Sequence, residues 1–221
     1  MLSFSYEDFL IVLENYNTSI WPLQILAYLF GISILFYATK RNISSTKIIL
    51  AILSLFWLWN GIVFCPIFWA PTYKSAYLFG VFCTVQGLLF VRGIYKSDVS
   101  ILIRADLYSI VGILFVVYSM IGYQLIGYPL GHVYPKFFPF GLVPCPTTIF
   151  TFGLLLMTVD KCPKYYLIVP FILALGGFLA AFKGILEDVG LIIVGLIGTG
   201  MLFVRDKNIV KEKENYRLTA C

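Results

Sequence analysis

The sequence predicts an all-α membrane protein: a seven-transmembrane-helix bundle with a short N-terminal interfacial helix, N-terminus outside and C-terminus cytoplasmic. Three observations carry this. Apolar residues fill 60% of the 221 positions and charged residues only 12%, against about 25% charged in soluble domains. The apolar runs are continuous and lack two-residue alternation, which selects helices over a barrel as the way to satisfy backbone groups in lipid. Lys and Arg gather on alternate connections, as the positive-inside rule requires.

The elements follow in order. Ser5–Asn17 has Ser5 as an N-cap with Asp8 three residues on. Phe9, Leu10, Val12, Leu13 and Tyr16 give it one apolar side, so an interfacial helix is expected. The region lacks a cationic start and carries Glu7, Asp8 and Glu14, which argues against a cleaved signal peptide. The seven expected spans are Ser19–Ala38, Ile48–Ile67, Ser75–Ile94, Ile103–Ile126, Thr147–Val159, Tyr165–Phe182 and Asp188–Val204. The chain therefore divides into an interfacial segment (1–18), a transmembrane domain (19–204) and a polar tail (205–221), expected to be mobile.

Of the 16 Lys and Arg, all but Lys74, Lys136 and Lys183 fall on one side of this arrangement. The net charge of +5 is thus a topology signal, and no nucleic-acid partner is expected. The fifth span is the shortest. Its 13 residues rise only about 20 Å, so it starts inside the Pro-rich segment before it or that segment dips into the membrane. Spans six and seven carry Gly176, Ala180 and Gly184, then Gly177 and Ala181, then Gly195 and Gly198. This spacing suits close packing within the chain or a homodimer face.

Polar residues concentrate in the outer half. Gln24, Trp59, Asn60, Gln86, Gln124, His132, Cys145, Thr147 and Thr148 are the expected ligand-binding residues. Intramembrane polar groups usually face the bundle interior. Amides would hydrogen-bond the ligand and Trp59 would wall the pocket. The start of span five, at Cys145–Thr148, would offer a helix N-terminus to a negative or carbonyl group. Thr147 and Thr151 would add hydroxyls along one face. The structural alternative is that Pro and Thr simply start a helix. His132, Cys65 and Cys145 could make a soft-metal site. No ligand spacing supports it, and plain burial of the cysteines is the alternative, as is a Cys65–Cys145 disulfide. Glu187 and Asp188 either complement the seventh helix N-terminus or couple protons or cations, with Lys183 nearby. No H-E-x-x-H, P-loop or G-x-S-x-G is present, and span seven has no central Lys for a Schiff base. No catalytic residue or cofactor is expected.

The segments NYNTSIWPLQ, FWLWNG, AYLFG with QGLLF, GHVYPKFFPFGLVPCPTTIFTFGLLL and AAFKGILEDVGL span nearly the whole chain. Together they resemble the bacterial integral-membrane family known as domain of unknown function 6064. The GH-x-YP and PCPTTIFT elements are the most specific. At the position of Cys65 the family pattern more often has His, so a metal site carried through that position is weakened. The resemblance implies the fold and a bacterial inner-membrane location, and no activity. The expected function is a small-solute or ion transporter-like or ligand-sensing bundle, its pocket open to the extracytoplasmic side. An accessory subunit acting through helix packing is the second expectation, and an intramembrane enzyme the weakest.

Overall fold

The computed structural model describes residues 5–219, with side chains through Lys211. Expectations on residues 1–4, 220 and 221, and on the side chains of Lys213 and Arg217, lie outside these. Eight helices form among the described residues: α1 (Tyr6–Ser19), α2 (Leu23–Ala38), α3 (Ile43–Trp69), α4 (Ala76–Lys96), α5 (Leu107–Leu130), α6 (Pro144–Leu156), α7 (Tyr165–Phe182) and α8 (Asp188–Thr219). Polar caps set several of their starts. The side chains of Ser5, Asn42 and Asp106 accept the N–H groups of Asp8, Ser45 and Ser109 at 3.4, 2.6 and 2.7 Å.

Five helices (α3, α4, α5, α7 and α8) are long and apolar enough to cross a membrane. A sixth is reached if α1 and α2, bent by 84°, count as one span. The seventh apolar helix, α6, has 13 residues. Several expected boundaries shift: span two runs Ile43–Trp69, span four Leu107–Leu130 and span five Pro144–Leu156. Span one starts at Leu23 because Pro22 stands outside the helix, and α8 continues unbroken past Arg205 to Thr219. The expected mobile tail is therefore helical through its described length.

The helices α2 to α8 alternate in direction, so their connections sort to two ends. At one end, segment 97–106 lies under the bundle. Ile103 N–H bonds the Ala38 carbonyl at 2.8 Å, and Ile101 N–H bonds Thr46 Oγ1 at 3.2 Å. Val159 N–H reaches the Ser100 carbonyl at 2.8 Å. At the other end lie α1, the connection from Gly131 to Val143, and the α7–α8 turn.

The short α6 stands in the centre. Every residue but Cys145 is buried, as suits a helix apolar on all sides. It touches α5 backbone to backbone. A Cβ on Gly153 would lie 2.7 Å from the Gly112 carbonyl, so only glycine permits the contact. Trp57 Nε1 donates to Thr151 Oγ1 at 2.9 Å, which ties α3 to the same helix. A 13-residue helix ends inside the bundle, and its C-terminal carbonyls need partners. The buried guanidinium of Arg205 supplies them, donating from Nη1 to the carbonyls of Leu155, Leu156 and Thr158 at 3.0, 3.0 and 3.1 Å. Gly195 and Gly198 of α8 pack within the chain. A Cβ on Gly195 would meet Ala174 Cβ at 2.3 Å, and one on Gly198 would meet Phe152 at 2.9 Å.

Candidate functional site

The amide side chains picked out by sequence do converge, and they converge on the backbone of the Pro-rich connection. Asn60 Nδ2 donates to the Phe56 and Gly141 carbonyls at 2.7 and 3.2 Å and lies 3.3 Å from Thr147 Oγ1. Gln124 Nε2 donates to the Phe138 carbonyl. Trp59 Nε1 donates to Tyr16 Oη at 2.7 Å, and Tyr16 donates onward to the Leu142 carbonyl at 2.6 Å. Gln24 reaches the same connection at second hand. It donates to the Asn17 carbonyl at 2.9 Å, and Asn17 Nδ2 holds the Pro135 and Phe137 carbonyls at 2.6 and 2.8 Å. Asn60, Gln124 and, through Tyr16 and Asn17, Trp59 and Gln24 hold this loop. A buried irregular segment carries carbonyls that nothing else can satisfy, and long amides are the groups that reach them. Gln86 stands apart, tying α4 to the Tyr166 carbonyl of α7 at 3.2 Å.

The start of α6 also differs from the expected anion-facing terminus. The helix begins at Pro144, and both Pro144 and Pro146 lack an N–H. Two donor positions of its first turn are therefore empty of donors. The hydroxyls of Thr147, Thr148 and Thr151 donate back to carbonyls four residues earlier, at 2.7 to 2.8 Å.

The chemistry at this end comes from Glu187, just before α8, from Asp188 at its start, and from the side chains facing them. Glu187 Oε1 contacts His132 Nδ1, and His132 Nε2 contacts Tyr6 Oη. The side chains of His132 and Glu187 are 1% and 0% exposed, so this is a buried pair with one imidazole between a phenol and a carboxylate. Gly127 makes room for it. A Cβ there would stand 2.5 Å from Glu187 Oε1. The next residue, Asp188, is also fully buried. Its Oδ1 accepts from Tyr123 Oη at 2.5 Å, and its Oδ2 lies 3.4 Å from Cys145 Sγ. Among the described residues no ion pair involves Asp188. The two neighbouring carboxylates thus sit in different settings: Glu187 beside an imidazole, Asp188 beside neutral donors.

Asp188 and Cys145 line a cavity of about 210 Å³. Its walls are mainly apolar, formed by Phe9, Phe64, Phe79, Phe138, Leu173 and Leu191. Ser75 and Lys183 stand among its polar lining residues, and α7 presents Gly176 and Ala180 to it. Of the nine residues expected to bind ligand, Cys145 alone lines this cavity.

The described residues contain no group of three or more His, Cys, Asp or Glu with metal-holding geometry. The soft-metal expectation is corrected accordingly. Both nitrogens of His132 are engaged by Tyr6 and Glu187, and Cys145 faces Asp188. Cys65 and Cys145 are both free thiols, so the disulfide alternative is not formed.

A family model described as a family of unknown function, DUF6064, matches residues 6–213. The chain belongs to this family. The match runs from α1 into the last turns of α8, so the buried His132–Glu187 pair, Asp188 and the cavity all lie within the DUF6064 region. No curated protein and no solved structure matches the chain. Sequence reasoning passed over Tyr6, Tyr16, Asn17 and Tyr123, which read as aromatic or polar residues on ordinary helices. The adjacent Glu187–Asp188 between apolar spans was the legible signal for this site.

Proposed function

We propose that the protein is a ligand-binding membrane bundle, of transporter or sensor type, in the bacterial inner membrane. It takes up seven crossings, α2 to α8, with the N-terminus and the cavity on the extracytoplasmic side. The bias of Lys and Arg toward the opposite end supports that orientation.

One observation carries the ligand chemistry. Asp188 is a fully buried carboxylate that lines an apolar cavity and has no cationic partner among the described residues. A buried carboxylate gains most from a charged or strongly donating group placed against it. The fitting ligand is a small apolar solute with an ammonium or comparable donor head. Its body would replace weak contacts across the cavity, and its head would meet Asp188.

The test is a melting series on the detergent-purified protein with straight-chain amines, alcohols and carboxylic acids of matched length. Amines should raise the melting temperature, and Asp188→Asn should remove the shift while the protein stays folded. Equal shifts from all three head groups, or an amine shift that survives Asp188→Asn, would overturn the reading.

A further inference from the structure

A second concave surface lies at the opposite end of the molecule, between the start of α7 and the later turns of α8. It has a volume of about 330 Å³. Lys161, Lys164, Lys207 and Lys211 surround it, and Leu202 and Phe203 form part of its apolar wall. All four lysines are exposed, and none takes part in an ion pair among the described residues.

Asp206, a carboxylate lining the groove, is already committed. Its Oδ1 accepts from the Arg205 guanidinium at 2.8 and 3.2 Å, and its Oδ2 accepts from Cys162 N–H at 3.1 Å. Its charge is offset by Arg205, so this pair brings no net negative charge to the four lysines. Four ammonium groups around one hollow repel one another, and an anion that bridges them relieves the repulsion.

The apolar walls decide which anion. Lys164 Nζ stands 5.8 Å from the Phe203 ring, and Phe203 is 54% exposed on the outer surface of α8. Below the lysines, the groove runs onto the apolar stretch of two helices that are long enough to cross a membrane. A soluble phosphate would use the lysines and leave the walls bare. A phospholipid uses both, with its headgroup among the ammonium groups and an acyl chain along the α7–α8 seam. We propose that this groove is a binding site for an anionic phospholipid.

Snorkelling lysines and positive-inside topology already explain cations at this boundary. Neither requires four of them to meet in one groove, and neither gives headgroup selectivity after extraction from the membrane. The test uses the full chain in neutral detergent, titrated separately with dioleoyl-phosphatidylglycerol, dioleoyl-phosphatidylcholine and inorganic phosphate. Melting temperature and native mass spectrometry report binding. Phosphatidylglycerol should be retained and should raise the melting temperature, with the effect weakening at high salt. The pair Lys164→Gln and Lys207→Gln should lower its affinity about fivefold per lysine removed. The pair Lys40→Gln and Lys47→Gln, at the same end but outside the groove, should leave it unchanged. Equal effects of the two lipids would overturn the proposal, as would an equal loss from the control pair. A matching shift from inorganic phosphate would assign the groove to a soluble anion and also overturn it. The salt response of the unmodified protein needs no variant, and a salt-independent shift counts against the proposal too.

Discussion

Two buried groups have chemistry set by their surroundings. His132 and Glu187 are sealed from solvent and paired through Nδ1 and Oε1, so removing His132 leaves the Glu187 carboxylate buried without a partner. A double-mutant cycle with His132→Ala and Glu187→Gln should give an interaction energy of about 1–3 kcal/mol in detergent unfolding. Additive losses would show that the two side chains act separately. Cys162 lies in the connection between α6 and α7, where burial pushes its thiol up to about 12, with Arg205 opposing the shift. Only the thiolate is a nucleophile, and little of it exists near neutral pH for such a group. Iodoacetamide at pH 8 should leave Cys162 unmodified in the folded protein and modify it after denaturation. Rapid alkylation in the native state would contradict the burial seen here.

Among the elements, α6 is the one whose length and surroundings do not match a simple spanning helix. Its N-terminal end begins with two prolines under a loop that side-chain amides hold in place. Its C-terminal end rests on Arg205. Arg205→Gln would take the guanidinium from three buried carbonyls, of which that of Leu155 keeps its bonds from Thr158, at a cost of about 3 kcal/mol. Unfolding at a lower fraction of denaturing detergent would register this. Wild-type resistance would mean that another group serves those carbonyls. The short length of α6 is visible in sequence from counting residues between polar boundaries. The role of Arg205 is not. Its neighbours read as a polar tail, and only the return of segment 157–164 beneath the helix brings α8 against those carbonyls. The amides were legible as unusual polar groups inside apolar runs. Their partners were not, because carbonyls on an irregular connection carry no side-chain signature.

For the whole molecule, orientation governs the meaning of every site. A cytoplasmic reporter fused after Cys221 should be active, and a periplasmic one silent. The reverse would place the Asp188 cavity on the cytoplasmic side and remove the proposed extracytoplasmic access. Composition alone determined the class of object, since a chain this apolar has too few polar groups to cover its surface. Hydrophobic run length predicted the succession of apolar helices, five of which are long enough to cross a bilayer of about 30 Å. Pairing was left to the tertiary structure. It set Tyr6 and Glu187 on opposite sides of one imidazole and turned Asn60 toward a loop. It also left Asp188 beside an apolar cavity. These residues lie far apart in the chain, and one buried polar atom meets another only where helix packing brings their backbones within reach.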